Sequence, residues 1–227
     1  MSKIQFLFIG EGPSASGLIP HIENLCIELG AEEVTGTVAD FRRLPGLART
    51  VEEKIKTAVK FEPNSNLVFI HRDADNRDST PRYREIASAV EASAPLHACV
   101  AVVPVQETEA WLLLHEGNIR SVAGRPKGKV PLGLPSPFHV ESVASPKECL
   151  KSALLLAAEL TGRRRDRFKA EFPTHRQLLL ERLPTGGALD RVHSWTRLRA
   201  DITDAINRIT TIEIVGAEAS DACTTDN

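Results

Sequence analysis

Apolar and polar residues follow two rhythms along the first half of the chain. Lys3 to Ile9 reads as a strand, apolar from Ile4 onward and broken by Gln5, and it stops at Gly10-Glu11-Gly12, as a strand entering a turn does. From Gly17 to Leu29 the apolar positions are Leu18, Ile22, Leu25, Cys26 and Leu29, a spacing that predicts a helix stopped by Gly30. Val34 to Ala39 is a short strand. Thr50 followed by Glu53 forms a capping box, and the helix it opens carries Val51, Ile55, Ala58 and Val59 on one face as far as Phe61. Pro63 to Asn66 is a loop, and Leu67 to His71 a fully apolar strand up to its last residue. Thr80-Pro81 places proline at the first position of a helix reaching Ala92. His97 to Val103 is the next strand, ended by Pro104, and Gln106 to His115 the next helix.

Strands thus alternate with helices four times, and near-continuous apolar strands suit a parallel sheet covered on both faces. Residues 1 to 116 read as an α/β domain with a doubly wound, mostly parallel sheet. Residues 117 to 146 are rich in Gly, Pro and basic residues and read as an irregular connection. Helices are expected over Pro146–Leu160, Arg163–Phe172, Gln177–Leu183 and Leu189–Ile209. Residues 117 to 215 would then be a basic, mainly helical extension packed on the first domain, and 216 to 227 a frayed tail.

Composition narrows the class. Aromatic residues make up only 5% of the 227, so the core must rest on Leu, Val, Ile and Ala. Cys26, Cys99, Cys149 and Cys223 lie far apart, which argues against a zinc ribbon or a disulfide framework and fits a reducing, cytoplasmic setting. The first apolar run is too short for a signal peptide, and no stretch is long enough to span a bilayer, so no membrane partner is expected. The net charge of -2 demands no nucleic acid. Yet Arg120 to Arg176 holds 12 Lys/Arg against 5 Asp/Glu, while the remainder holds 16 against 25. A solvated basic face and a footprint for phosphates both account for that asymmetry.

Ligands of open α/β sheets bind beyond the carboxyl ends of the strands, and acidic residues collect there. Glu11 follows the first strand, Asp73 and Asp75 the third with Asp78 nearby, and Glu107 and Glu109 the fourth. If the first and third strands are neighbours, Glu11 faces the same cleft as the Asp73-Ala74-Asp75 pair. Crowded carboxylates repel unless a cation intervenes. Mg²⁺ is the expected cation, being hard and commonly held by one or two carboxylates plus substrate phosphates. In an extended segment the Asp-x-Asp spacing sends both side chains the same way. The competing account is a polar turn in which Asp and Asn accept backbone hydrogen bonds. Arg72 and Arg77 either clamp phosphate oxygens or neutralise Asp73 and Asp78. Arg163, Arg164, Arg165, Arg167 and Lys169 either follow a nucleic-acid backbone or form a solvated helix face. His71 fits a core position better than a catalytic one, and Tyr83, Trp111 and Trp195 read as packing residues.

The order "FIGEG", "VFIHRDAD" and "VPVQETEAWLL" resembles the Toprim fold. With "FPTHRQLLLERL" and "SWTRLRADI", most of the chain is similar to small bacterial Toprim-like proteins of an uncharacterised-domain type, the DUF4276 group. The resemblance implies that Glu11, Asp73 and Asp75 bind Mg²⁺ or Mn²⁺, with Glu109 as a further ligand or supporting group. It also implies hydrolysis of phosphodiesters in DNA or RNA, as in nucleases of the overcoming-lysogenization-defect type, in a phage-defence or mobile-element setting. Such nucleases often work with an AAA/ABC-type ATPase partner. Glu11 would hold metal or act as general base. A topoisomerase would need a reactive tyrosine, and Tyr83, the only one, lies on a predicted helix after the acidic loop.

Two other readings stand beside this one. Gly10 to Ala15 fits G-x-G-x-x-A, a weak dinucleotide fingerprint, with Asp40 after the second strand as the ribose-binding acid. Glu11 would then bring negative charge to a pyrophosphate loop. A P-loop is excluded, because Gly17 is followed by Leu18 where lysine is required. The chain could also be a non-enzymatic, regulatory subunit of an ATPase-containing assembly.

Overall fold

The chain is described by a computed structural model covering residues 3–41, 50–95 and 97–223, with backbone alone for 13, 14 and 213–223. Strands β1 (Lys3–Ile9), β2 (Glu33–Val38), β3 (Leu67–His71) and β4 (Ala98–Val102) form an all-parallel sheet in the order β2-β1-β3-β4. Helices α1 (Ile19–Glu28), α2 (Val51–Phe61) and α3 (Thr80–Ser93) are the crossovers, as the apolar spacing predicts. Thr50 and Glu53 make the reciprocal bonds of a capping box at the start of α2.

Side chains of consecutive strand residues point to opposite faces. Both faces of the central strands are covered, so both sets are apolar. Phe6, Phe8 and Phe69 face α1 and the C-terminal helices, while Leu7, Ile9, Val68 and Ile70 face α2 and α3. The chain leaves β1 toward β2, then returns across the sheet to β3. The crevice between β1 and β3 is therefore the topological switch point, where ligands of such sheets sit.

The second half is helical: α4 (Glu109–Leu112), α5 (Glu116–Val122), α6 (Pro146–Ala158), α7 (Gly162–Ala170), α8 (Phe172–Glu181) and α9 (His193–Cys223). Several details depart from the sequence pattern, among them the start of α8 at Phe172 rather than Gln177 and the break between a 3-10 turn at Leu189–Arg191 and α9. The helix expected over 106–115 is confined to the four residues of α4, because Gln106 takes a positive φ of 62° and ends one loop before the helix begins. The connection at 117–146 includes part of α5. The last helix runs to Cys223, through the segment expected to fray from 216; residues 224–227 lie outside the described residues.

The helical half shares a core with the sheet. One continuous apolar cluster joins Phe6, Phe69 and Val100 to Leu154, Trp195 and Ile202. Trp111 of α4 meets Trp195 of α9 edge-to-face, with centroids 5.0 Å apart, and its indole N–H donates to Ser194 Oγ at 3.0 Å. Among the described residues no helix is long and apolar enough to cross a membrane. With a shared core, Trp111→Ala should cost about 3–5 kcal/mol. Denaturant unfolding followed by far-ultraviolet circular dichroism should still show a single transition. Separate transitions for the two halves would contradict the shared core.

Candidate active site

Beyond the strand ends, the loops after β3 and β4 are laced together. Arg72 N–H donates to Val102 O, Ala74 N–H to Pro104 O, Asp75 N–H to Gln106 O and Gln106 N–H to Asn76 O, at 2.9–3.2 Å. Asp75 and Gln106 both adopt left-handed backbone, with φ of 53° and 62°. Aspartate tolerates this conformation better than most residues, and it still costs about 1 kcal/mol or more. The left-handed turn has a direct effect on the Asp-x-Asp pair. Its two side chains would align only on an extended backbone, and at Asp75 the backbone is not extended. Asp75 turns instead to Arg82, with Oδ2 accepting from Nη2 at 2.8 Å.

Asp73 occupies the switch point. Its N–H donates to Glu11 Oε2 at 2.9 Å, so the loops after β1 and β3 are joined there. Its Oδ1 accepts from both the N–H and the hydroxyl of Thr108, each at 2.9 Å. Its Oδ2 has no hydrogen bond among the described residues. Burial raises the Asp73 carboxyl to about 6; the two Thr108 bonds oppose the rise, and the charges of Glu109 and Glu11 add to it. His71 lies beneath, its Nε2 3.0 Å from Thr108 Oγ1. Burial, followed by the nearby charges of Arg176 and Arg72, lowers His71 to about 3, so the ring is neutral. Its 3.7 Å approach to Asp73 Oδ1 is accordingly not an ion pair.

Cations surround the acids. Arg82 spends Nε on Asp73 O, Nη2 on Asp75 and Nη1 on Glu85 Oε2. Glu85 Oε1 accepts from Arg72 Nη1 at 3.2 Å, so Glu85 bridges the two guanidiniums. Arg72 Nε is 3.6 Å from Glu11 Oε1, too far for a hydrogen bond, and it is buried without a hydrogen-bond partner among the described residues. Arg77 donates to Ser142 O, while Asp78 Oδ1 accepts from the N–H of Thr80. Glu109 is buried and paired with Arg176 Nε at 2.6 Å. It acts on Asp73 through its charge and is already satisfied by a guanidinium. Tyr83 packs under Arg197 at 3.4 Å, in the packing role its position suggested.

A cavity of about 250 Å³ adjoins the acids, lined in part by Asp75, Glu107, Ser145, Lys147 and Glu148. Glu107 Oε2 accepts from the N–H of Lys147 in the first turn of α6. Glu148 is held below the usual carboxylate range by its bond from Lys151 and by the charges of Lys151, Lys147 and Lys169. Lys169 lies on α7 with Arg163, Arg164, Arg165 and Arg167, a helix with no buried residue. Of these, Arg167 pairs with Glu171 at 3.1 Å.

The structure therefore brings Glu11 and Asp73 together and turns Asp75 aside. Among the described residues no three His, Cys, Asp or Glu side chains form a group able to hold a metal. Two carboxylates, each with one oxygen that makes no hydrogen bond among the described residues, nonetheless suit a hard cation that keeps several waters and completes its shell with substrate phosphate. The glycine loop gives little to a dinucleotide. A six-residue 3-10 stretch, Pro13–Leu18, separates Gly12 from α1, so the loop does not lead directly into a helix N-terminus. A Cβ at Gly12 would meet nothing within 4 Å. Sequence reasoning missed Thr108, Arg82 and Arg176. Thr108 lies between two glutamates that drew attention away from it, and the arginines act across gaps in sequence that no local spacing reveals.

The raised Asp73 pKa has a definite sign. Its folded value, about 6, lies above the ordinary 3.8, so the ionised carboxylate costs stability, and the cost grows as pH rises between the two. Asp73→Asn keeps the Oδ1 acceptor and removes the charge. It should stabilise the metal-free protein near neutral pH by on the order of 1–3 kcal/mol, with the gain vanishing near pH 4. Urea unfolding across this pH range checks it, and a pH-independent difference would contradict the buried charge as its origin.

No family model, no curated protein and no solved structure matches this chain.

Proposed function

We propose that this protein is a divalent-metal-dependent phosphodiesterase acting on nucleic acid. The observation that supports this reading most is the junction of Glu11 and Asp73 at the β1–β3 switch point, with Asp73 Oδ2 unbonded. Glu11 and Asp73 would hold Mg²⁺ or Mn²⁺, which when bound supplies Lewis acidity to the phosphate ester. Asp75 would take a ligand role only on exchanging Arg82 for the cation. Arg72, whose Nε is buried without a hydrogen-bond partner among the described residues, would meet a phosphate oxygen only on shifting its guanidinium outward. The lysines around Glu148 and the exposed guanidiniums of α7 would follow the backbone of DNA or RNA away from the cut. The bacterial-defence setting and the ATPase partner belong to this reading through the Toprim resemblance alone.

One observation favours a second reading. The three-carboxylate set is incomplete, with Asp75 neutralised by Arg82, as suits a non-catalytic subunit of a larger assembly. A cleavage screen on single- and double-stranded DNA and RNA with Mg²⁺ or Mn²⁺ separates the two. The phosphodiesterase should cut at least one substrate and be inhibited by a chelator. Glu11→Gln and Asp73→Asn should each lower the rate by at least about two orders of magnitude while remaining folded. Metal that neither shifts the melting temperature nor supports any cleavage favours the non-catalytic subunit.

The basic helix makes a separate, quantitative prediction. Replacing Arg163, Arg164 and Arg165 by alanine should weaken nucleic-acid binding with little dependence on sequence. The slope of log affinity against log salt should flatten by about 2 to 3, measured by fluorescence anisotropy. An unchanged slope would make α7 a solvated face.

A further inference from the structure

We infer that Thr108, oriented by His71, is a positioning residue that fixes the Asp73 carboxylate with one oxygen committed to the protein and the other presented to the cation. This rests on the reading of Glu11 and Asp73 as metal ligands. The geometry that carries it is a three-member chain: His71 Nε2 at 3.0 Å from Thr108 Oγ1, and Thr108 Oγ1 at 2.9 Å from Asp73 Oδ1. The Thr108 hydroxyl has a single proton. An ionised Asp73 can only accept, so that proton lies toward Oδ1. The hydroxyl oxygen must then accept from His71, which sets the ring as the tautomer protonated at Nε2. His71 Nδ1 is left bare, and it is buried with no partner among the described residues. The Thr108 N–H reaches the same Oδ1 at 2.9 Å, so two donors converge on one oxygen and none on the other.

The arrangement removes the rotational freedom of a short carboxylate. An Asp free to turn about its last bond would present either oxygen and would lose entropy on capturing an ion. Here that freedom is already gone, because Thr108 is itself buried at 1% exposure and sits beside α4, whose Glu109 is paired with Arg176. Groups that orient a ligand in this way typically change metal affinity or activity by 10–100-fold when removed.

The test compares Mn²⁺ binding, read by electron paramagnetic resonance of the free ion, in the wild type and in three variants. Thr108→Val is nearly isosteric, removes the hydroxyl and keeps the N–H; it should weaken Mn²⁺ binding by about 10-fold or more. Thr108→Ser restores the hydroxyl and should bind within about 3-fold of the wild type. His71→Leu removes the donor that fixes the hydroxyl and should also weaken binding, which keeps the proposal testable if Thr108→Val fails to fold. Thr108→Val or His71→Leu binding Mn²⁺ as tightly as the wild type would overturn the positioning role and leave the metal-dependent reading standing. A wild type that binds no Mn²⁺ at millimolar concentration would overturn that reading, and the positioning role with it.

Discussion

The hydrogen bonds that carry the β3–β4 ladder past the ends of the strands set the geometry of the acidic cleft. Four main-chain bonds tie residues 72–76 to residues 102–106. They determine which way Asp73 and Asp75 face, bring Thr108 against the Asp73 carboxylate, and fix the starting point of the segment that leads to α4. A loop of this composition free in solvent would sample many arrangements of its charges. Lacing it to its neighbour converts that variety into one arrangement, and two residues in left-handed conformation are the local cost.

Electrostatics then divides the acids by partner. Asp75 and Glu85 are neutralised by guanidiniums, and Glu109 by Arg176. Asp73 has Thr108, a backbone link to Glu11 and no cation of its own. Its raised proton affinity comes first from burial, which the two Thr108 bonds oppose and the charges of Glu109 and Glu11 reinforce. Glu85 takes a hub position, with one oxygen for Arg72 and the other for Arg82, so the cations around the cleft are coupled through a single carboxylate.

Much of this was legible from the sequence. The apolar run Leu67–Ile70, bounded by Asn66 and Arg72, specifies a buried strand, and the capping box at Thr50 and the proline after Thr80 mark helix starts that the structure reproduces. The parallel α/β class follows from strands apolar on both faces. The adjacency of β1 and β3, which a sequence can state only as a condition, is met. The orientation of Asp75 was not legible, because side-chain direction depends on a backbone φ that only the pairing with Gln106 imposes. Thr108 was not legible either, for a threonine becomes significant only when a carboxylate 35 positions away is folded against it. The basic run at Arg163–Lys169 could be placed on a helix from its sequence, but not where that helix lies, which depends on how α6 and α7 pack.

The tryptophan pair has a practical consequence. Trp111 and Trp195 are the only two indoles in the chain, they are fully buried, and they touch each other. Every tryptophan photon the protein emits therefore originates at the joint between α4 and α9. Intrinsic fluorescence is an optical gauge of that joint: it should respond when the helical layer loosens from the sheet and stay dark to rearrangements confined to the arginines and acids of the cleft.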